Sequence, residues 1–170
     1  RIQGQAGDIP LTALGQRQAD TAARALAGRP IAALWCSDLL RAVRTAQPIA
    51  AAVGLPVRVD RDLREQSYGL LEGRRTTDVL AGTPYDLTDP DVRVPGGESV
   101  RDVYRRMGDA LARRLREHAG QEIVLVSHAD ALRIGLAWLS GSDVRDVRWH
   151  DLPHGSITTV RTRRAPGGSR

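Results

Sequence analysis

The stretch QEIVLVSHADALRIGL, residues 121–136, decides how this chain is read. An apolar run, Ile123-Val124-Leu125-Val126, stops at Ser127-His128, and Ala131, Ile134, Leu136 and Leu139 then recur at helical spacing. The pattern predicts a buried strand, a sharp turn and a helix, with a histidine at the junction. Such junctions gather anions, because the first turn of the helix offers unpaired N–H groups and the positive end of its dipole. In open α/β sheets, ligands sit off the carboxyl ends of the strands. The same residues also allow His128 simply to cap or pack the turn.

Outward from that stretch, strand and helix patterns alternate. Residues 1–10 are polar and glycine-rich, a loop. Thr12 is placed to cap a helix in which Ala19, Ala22, Ala23 and Leu26 share a face, and Gly28-Arg29-Pro30 ends it. Ile31–Trp35 reads as a short strand ending at Cys36-Ser37. Ser37 is then expected to cap a helix over about 38–53, with Gly54 as its stop. Residues 56–59 read as a second short strand, followed by the loop RDLREQSYGLLEG at 61–73 and a proline- and glycine-rich segment, 74–97, around one short helix. Ser99 and Asp102 resemble a capping box, and the helix behind them carries Val100, Val103, Met107, Leu111 and Leu115 on one face. After a loop at 143–155, residues 156–161 alternate like a final strand, and the tail RRAPGGSR is expected to be disordered. The order predicts an α/β fold, a three-layer sandwich in which a mostly parallel central sheet lies between helix layers.

With 170 residues, 41% of them hydrophobic and 26% charged, the chain is sized for one domain, here residues 1–162. No apolar run approaches membrane-span length and no secretory signal pattern is present. The single cysteine, Cys36, excludes an internal disulfide, so a cytoplasmic location is expected. All 25 basic residues are arginine, giving a net charge of +5. They are scattered with no basic block, which argues against a nucleic-acid surface.

Few residues stand out chemically. Arg41 falls in the first turn after a strand, where a guanidinium opposes the helix dipole and wants an anion, although an ion pair with Asp38 would satisfy it equally. Glu65 is a candidate proton donor if a cleft raises its pKa, with Glu72 as its rival. Cys36 lies five positions before Arg41, one short of the cysteine-phosphatase spacing, and its neighbours are not glycines. It is expected to be a buried thiol. His150 and His154 are four apart, but Pro153 lies between them, so no metal site is expected.

Taken together, and in order along the chain, RIQGQAGDIPLTALGQRQA, SDLLRAVRTA, LREQSYGLLEG, PGGES and LVSHADALR resemble the motifs of the histidine phosphatase superfamily, phosphoglycerate mutase-like branch. The resemblance implies catalytic roles for Arg41, Glu65 and His128: Arg41 and His128 grip a phosphoryl group and Glu65 protonates the leaving alcohol. Gln3 and Gly4 would lie beside the substrate, and Ala129 would offer a backbone N–H. It implies transfer through a phosphohistidine, a small phosphorylated substrate, no cofactor and no metal. It leaves a homodimer open and gives no role to a membrane or nucleic acid. Two departures matter. The family's first strand, ending in Arg-His-Gly and carrying the nucleophilic histidine, would precede Arg1, and the chain opens without Met. The 170 residues are therefore read as an N-terminally truncated portion, expected to be inactive and poorly folded alone. In addition, His154 and Ala129 stand where relatives often carry asparagine and glycine. The short 74–97 segment favours a phosphatase over a mutase. A phosphate-binding domain without catalysis is the alternative.

Overall fold

The computed structural model describes residues 1–6 and 8–162. Three strands, β1 (Ile31–Cys36), β2 (Val57–Val59) and β3 (Glu122–Val126), form a parallel sheet in the order β2-β1-β3. In the register, Leu34, Trp35 and Cys36 face Val124, Leu125 and Val126 on one side and Val57, Arg58 and Val59 on the other.

The pleat then sorts the side chains. Leu34, Cys36, Val124 and Val126 pack with α1 (Ala13–Leu26) and α2 (Leu40–Val53), while Trp35 and Leu125 pack with α4 (Val100–Glu117) and α5 (Ala129–Leu139). Helices on both faces of a parallel sheet give the three-layer sandwich that the alternating pattern implies. The short helix α3 (Thr76–Gly82) belongs to a separate apolar cluster of Leu71, Val79 and Val94 beneath the 74–97 segment. Helices α4 and α5 approach closely because Gly108 leaves room for the Trp138 indole and Gly135 for the Met107 side chain.

Local signals mark the helix ends well. Thr12 accepts the Gly15 N–H at 3.1 Å, and Ser99 and Asp102 form a reciprocal capping box. Other expectations are corrected. Helix α2 starts at Leu40 with Leu39 as its cap residue, not at 38 with Ser37. The Ser37 hydroxyl accepts the Leu39 N–H at 3.2 Å, but Asp38 is pulled out of helical backbone by a two-pronged pair with Arg64, at 2.6 Å on each oxygen. Strand β3 is half-buried along its whole length rather than buried, since β1 pairs with one edge and no strand pairs with the other among the described residues. Residues 156–161 form no strand and are all exposed. Their alternation is compatible with a strand, but without a hydrogen-bonding neighbour it produces none. The tail, 163–170, lies outside the described residues.

Candidate active site

The carboxyl ends of β1 and β3 are stitched to the loop that carries Glu65. The Asp60 N–H donates to the Cys36 carbonyl at 2.9 Å, the Ser37 N–H to the Val126 carbonyl at 3.0 Å, and the Ser127 hydroxyl to the Leu63 carbonyl at 2.7 Å. These bonds carry Glu65 across the sheet and set its carboxyl group over the first turn of α5. There Oε1 accepts N–H groups from Ala131 and Gln66, each at 3.0 Å, and Oε2 meets only the Asp130 N–H, at 3.4 Å. Oε1 is therefore the committed acceptor and Oε2 the oxygen with capacity for a proton. Loss of water, and then the negative charge of Asp130, push the Glu65 pKa up to about 7 against the lowering effect of the amides. Such a group holds a proton near neutrality and can release it, as a general acid must.

His128 is the cap residue of α5 but makes no capping bond with its side chain. It is buried, and its Nε2 has no hydrogen-bond partner. Burial, followed by the charges of Arg41 and Arg106, pushes its pKa down to about 3, so the ring is neutral. A buried ring nitrogen without a partner calls for one. A phosphoryl oxygen is a fitting acceptor, beside the amides that start α5.

Arg41 sits in the first turn of α2 and does not pair with Asp38, which Arg64 and Arg61 hold. Its guanidinium donates to the carbonyls of Gly4 at 2.7 Å and Ala6 at 3.0 Å. It thus grips the backbone of the N-terminal loop while Glu65 and Glu72 act on it electrostatically. Gln3, Gly4, Arg41, Glu65, His128 and Ala129 all line one groove of about 1500 Å³, which continues along the open edge of β3. The residues singled out in the sequence therefore converge. Glu72 does not compete with Glu65: its Oε1 accepts from Gln5 N–H, Tyr68 N–H and the Ser67 hydroxyl, at 3.0, 3.0 and 3.2 Å, and anchors the loops. Gly4 takes a positive φ of 49°, and a Cβ there would collide with the Glu72 carboxylate.

Several residues that hold the site were not singled out from the sequence. Arg106 on α4 donates to the carbonyls of Asp62, Arg64 and Glu65 at 2.8, 2.7 and 2.9 Å and forms a two-pronged pair with Glu98 at 2.8 and 2.9 Å. Glu98 also accepts from Gln5 Nε2 and Ser67 N–H, at 3.1 and 3.0 Å. The only hint was position: Arg106 flanks the buried stripe of Val103 and Met107, where a purely solvated arginine is out of place. Tyr68 and Asp130, which bond to each other across the groove mouth, gave no such signal.

The other candidates fall away. Cys36 is fully buried and its thiol is pushed up to about 11, first by burial and then by Asp38. His150 and His154 are exposed, and no metal-holding group of three or more His, Cys, Asp or Glu side chains occurs among the described residues. Among those residues no helix is long and apolar enough to cross a membrane.

Comparison with known proteins gives a consistent result. The family model of the histidine phosphatase superfamily (branch 1) matches residues 1–167. The probable phosphoglycerate mutase GpmB of Klebsiella pneumoniae (strain 342) is 39% identical over 171 residues, covering 98% of this chain and 79% of that protein. Among solved structures, a mycobacterial glucosyl-3-phosphoglycerate phosphatase superposes with a TM-score of 0.77 at 32% identity, over 86% of this chain and 74% of that one. A phosphoserine phosphatase of Entamoeba histolytica, solved with 3-phosphoglyceric acid, superposes with a TM-score of 0.79 at 25% identity, over 91% and 79% of the two chains.

Proposed function

As the chain belongs to the histidine phosphatase superfamily, we propose that it is the greater part of a phosphomonoesterase acting on a small phosphorylated metabolite. The observation that carries this reading is the convergence of three groups in one groove: a buried acid whose pKa is pushed up (Glu65), a buried histidine with an unpartnered nitrogen (His128) and a half-buried arginine (Arg41). In the proposed reaction a histidine nitrogen attacks phosphorus in line as the bond to the ester oxygen breaks. Glu65 gives its proton to that oxygen, and the alcohol leaves. Water then attacks the phosphohistidine, the Glu65 carboxylate takes its proton, and inorganic phosphate departs with the histidine restored. Arg41, His128 and the Ala129 N–H balance the charge on the equatorial oxygens. These donors are cationic or neutral, so the charge is met without a metal.

The attacking histidine is proposed to come from a strand on the free edge of β3, outside the 170 residues. His128 is not that nucleophile, because its role is to hold the transferred group. The chain alone is accordingly proposed to be inactive. A reduced, cytoplasmic setting suits the free thiol of Cys36. The segment after Glu65 is short and favours hydrolysis, whereas GpmB is named a mutase.

The test joins an N-terminal strand ending in Arg-His-Gly to this chain and follows p-nitrophenyl phosphate hydrolysis together with 3-phosphoglycerate isomerisation. p-Nitrophenyl phosphate hydrolysis that falls with His128→Ala, and alkyl phosphate hydrolysis that falls with Glu65→Gln, are expected. Phosphate binding without turnover would support a non-catalytic domain instead.

A further inference from the structure

We propose that the wall formed by Asp130 and Tyr68 selects the leaving alcohol: it accepts hydroxyl groups and turns away a carboxylate, so the substrate is a polyol or sugar monophosphate rather than a phosphorylated acid. The inference rests on the reading of Glu65 as the acid that protonates the ester oxygen. Proton transfer brings that oxygen within hydrogen-bond reach of Glu65 Oε2. Oε2 meets the Asp130 N–H at 3.4 Å, and Glu65, Tyr68 and Asp130 line the same groove. The carbons that the ester oxygen carries therefore pass along Asp130 and Tyr68.

What this wall offers follows from the bonds already made there. The Tyr68 hydroxyl donates to Asp130 Oδ2 at 2.5 Å, and Arg133 donates to Oδ1 at 2.5 Å. The phenol's one proton is thereby used, and its oxygen can only accept. A carboxylate has about four acceptor sites. These two bonds leave the rest open on a side chain that is 22% exposed. Arg133, the cation paired with Asp130, is withheld: its Nε donates to the His150 carbonyl at 2.6 Å, and its side chain is 15% exposed and does not line the groove. Arg41 is assigned to the phosphoryl group. Arg1, another cation on the groove, is exposed and donates to the Gly73 carbonyl at 2.6 Å. The wall beside the acid thus presents acceptors and keeps back its cation. A hydroxyl on the leaving group supplies the missing donor. A carboxylate in the same place meets acceptors and a negative charge, and it loses its water without replacement.

Glycerol 3-phosphate and 3-phosphoglycerate test this, because they differ only in a terminal hydroxymethyl or carboxylate group. In the strand-joined enzyme, kcat/KM is expected to favour glycerol 3-phosphate by roughly tenfold or more. Asp130→Asn removes the charge and adds an amide donor, so it should shrink or reverse that ratio. Asp130→Ser removes the charge alone and should shrink it, which serves where Asp130→Asn fails to fold. The ratio of the two substrates cancels general damage in a variant. Tyr68→Phe, which leaves the carboxylate in place, should keep the direction of the preference. Turnover of p-nitrophenyl phosphate by the parent judges the enzymatic reading separately. If the parent turns nothing over, calorimetric Kd values of the same two ligands read the preference. A parent that treats the two alike or favours 3-phosphoglycerate overturns the proposal, as does a ratio unmoved in both Asp130 variants. Failure of both ligands to bind overturns it together with the phosphate pocket.

Discussion

At the scale of single residues, the carboxyl group of Glu65 owes its raised pKa to where it is held, and two outcomes follow. Its pKa is raised in the fold to about 7 from 4.5. Between those values the unfolded chain has lost this proton and the folded chain retains it, so the fold loses stability as pH rises through that window. Glu65→Gln removes this dependence. In paired denaturant titrations, the variant should gain on the parent as pH goes from about 4.5 to 7, by on the order of 2 kcal/mol. In the strand-joined enzyme the same change should lower kcat roughly 10²-fold or more for an alkyl phosphate, and less for p-nitrophenyl phosphate, whose leaving group hardly needs a proton. Arg106 is the other decisive residue. Arg106→Ala strands three carbonyls and the Glu98 carboxylate, only 22% exposed. The expected loss is about 3 kcal/mol in urea unfolding.

At the scale of elements, the site depends on loops laid against each other with no side chain between them. Gly69 has a φ of 48°, and a Cβ there would strike the Pro95 carbonyl, while one on Gly97 would lie 2.6 Å from the Ser67 carbonyl. Gly69→Ala should therefore part the Glu65 loop from the PGGES turn and cost about 1–3 kcal/mol by thermal unfolding. The elements themselves divide by how local their causes are. The Thr12 cap, the Ser99–Asp102 box and the strand–turn–helix around His128 were legible because each is written within a few residues. The start of α2 was missed because Arg64, far along the chain, draws Asp38 away. The strand expected at 156–161 is absent because pairing, not alternation, makes a strand. The candidate groups Arg41, Glu65 and His128 were legible through their motifs, but Arg106, Glu98, Tyr68 and Asp130 were not. The bonds that tie them into the site reach as far as 93 positions along the chain, from Glu98 to Gln5, beyond any local pattern.

At the scale of the whole molecule, β1 is clasped on both edges and β3 on one. Hydrogen exchange should show the amides of β1 as the slowest in the sheet, with β3 exchanging faster despite its apolar sequence. Equal protection of the two strands would contradict this ordering. The contacts described around the groove have a further consequence when followed end to end. Arg41 binds Gly4 and Ala6; Gln5 binds the Glu65 carbonyl at 3.0 Å and Glu98; Arg106 binds Glu98 and the Glu65 carbonyl; Glu65 accepts the Ala131 N–H on the helix that His128 begins. The bonds among Gln5, Glu98, Arg106 and the Glu65 carbonyl close a ring, to which Arg41 ties α2 and the Ala131 N–H ties α5. Such circuits fail together. In a double-mutant cycle, Gln5→Ala and Arg106→Ala should cost clearly less in combination than the sum of their separate costs, because whichever cut comes first already opens the ring.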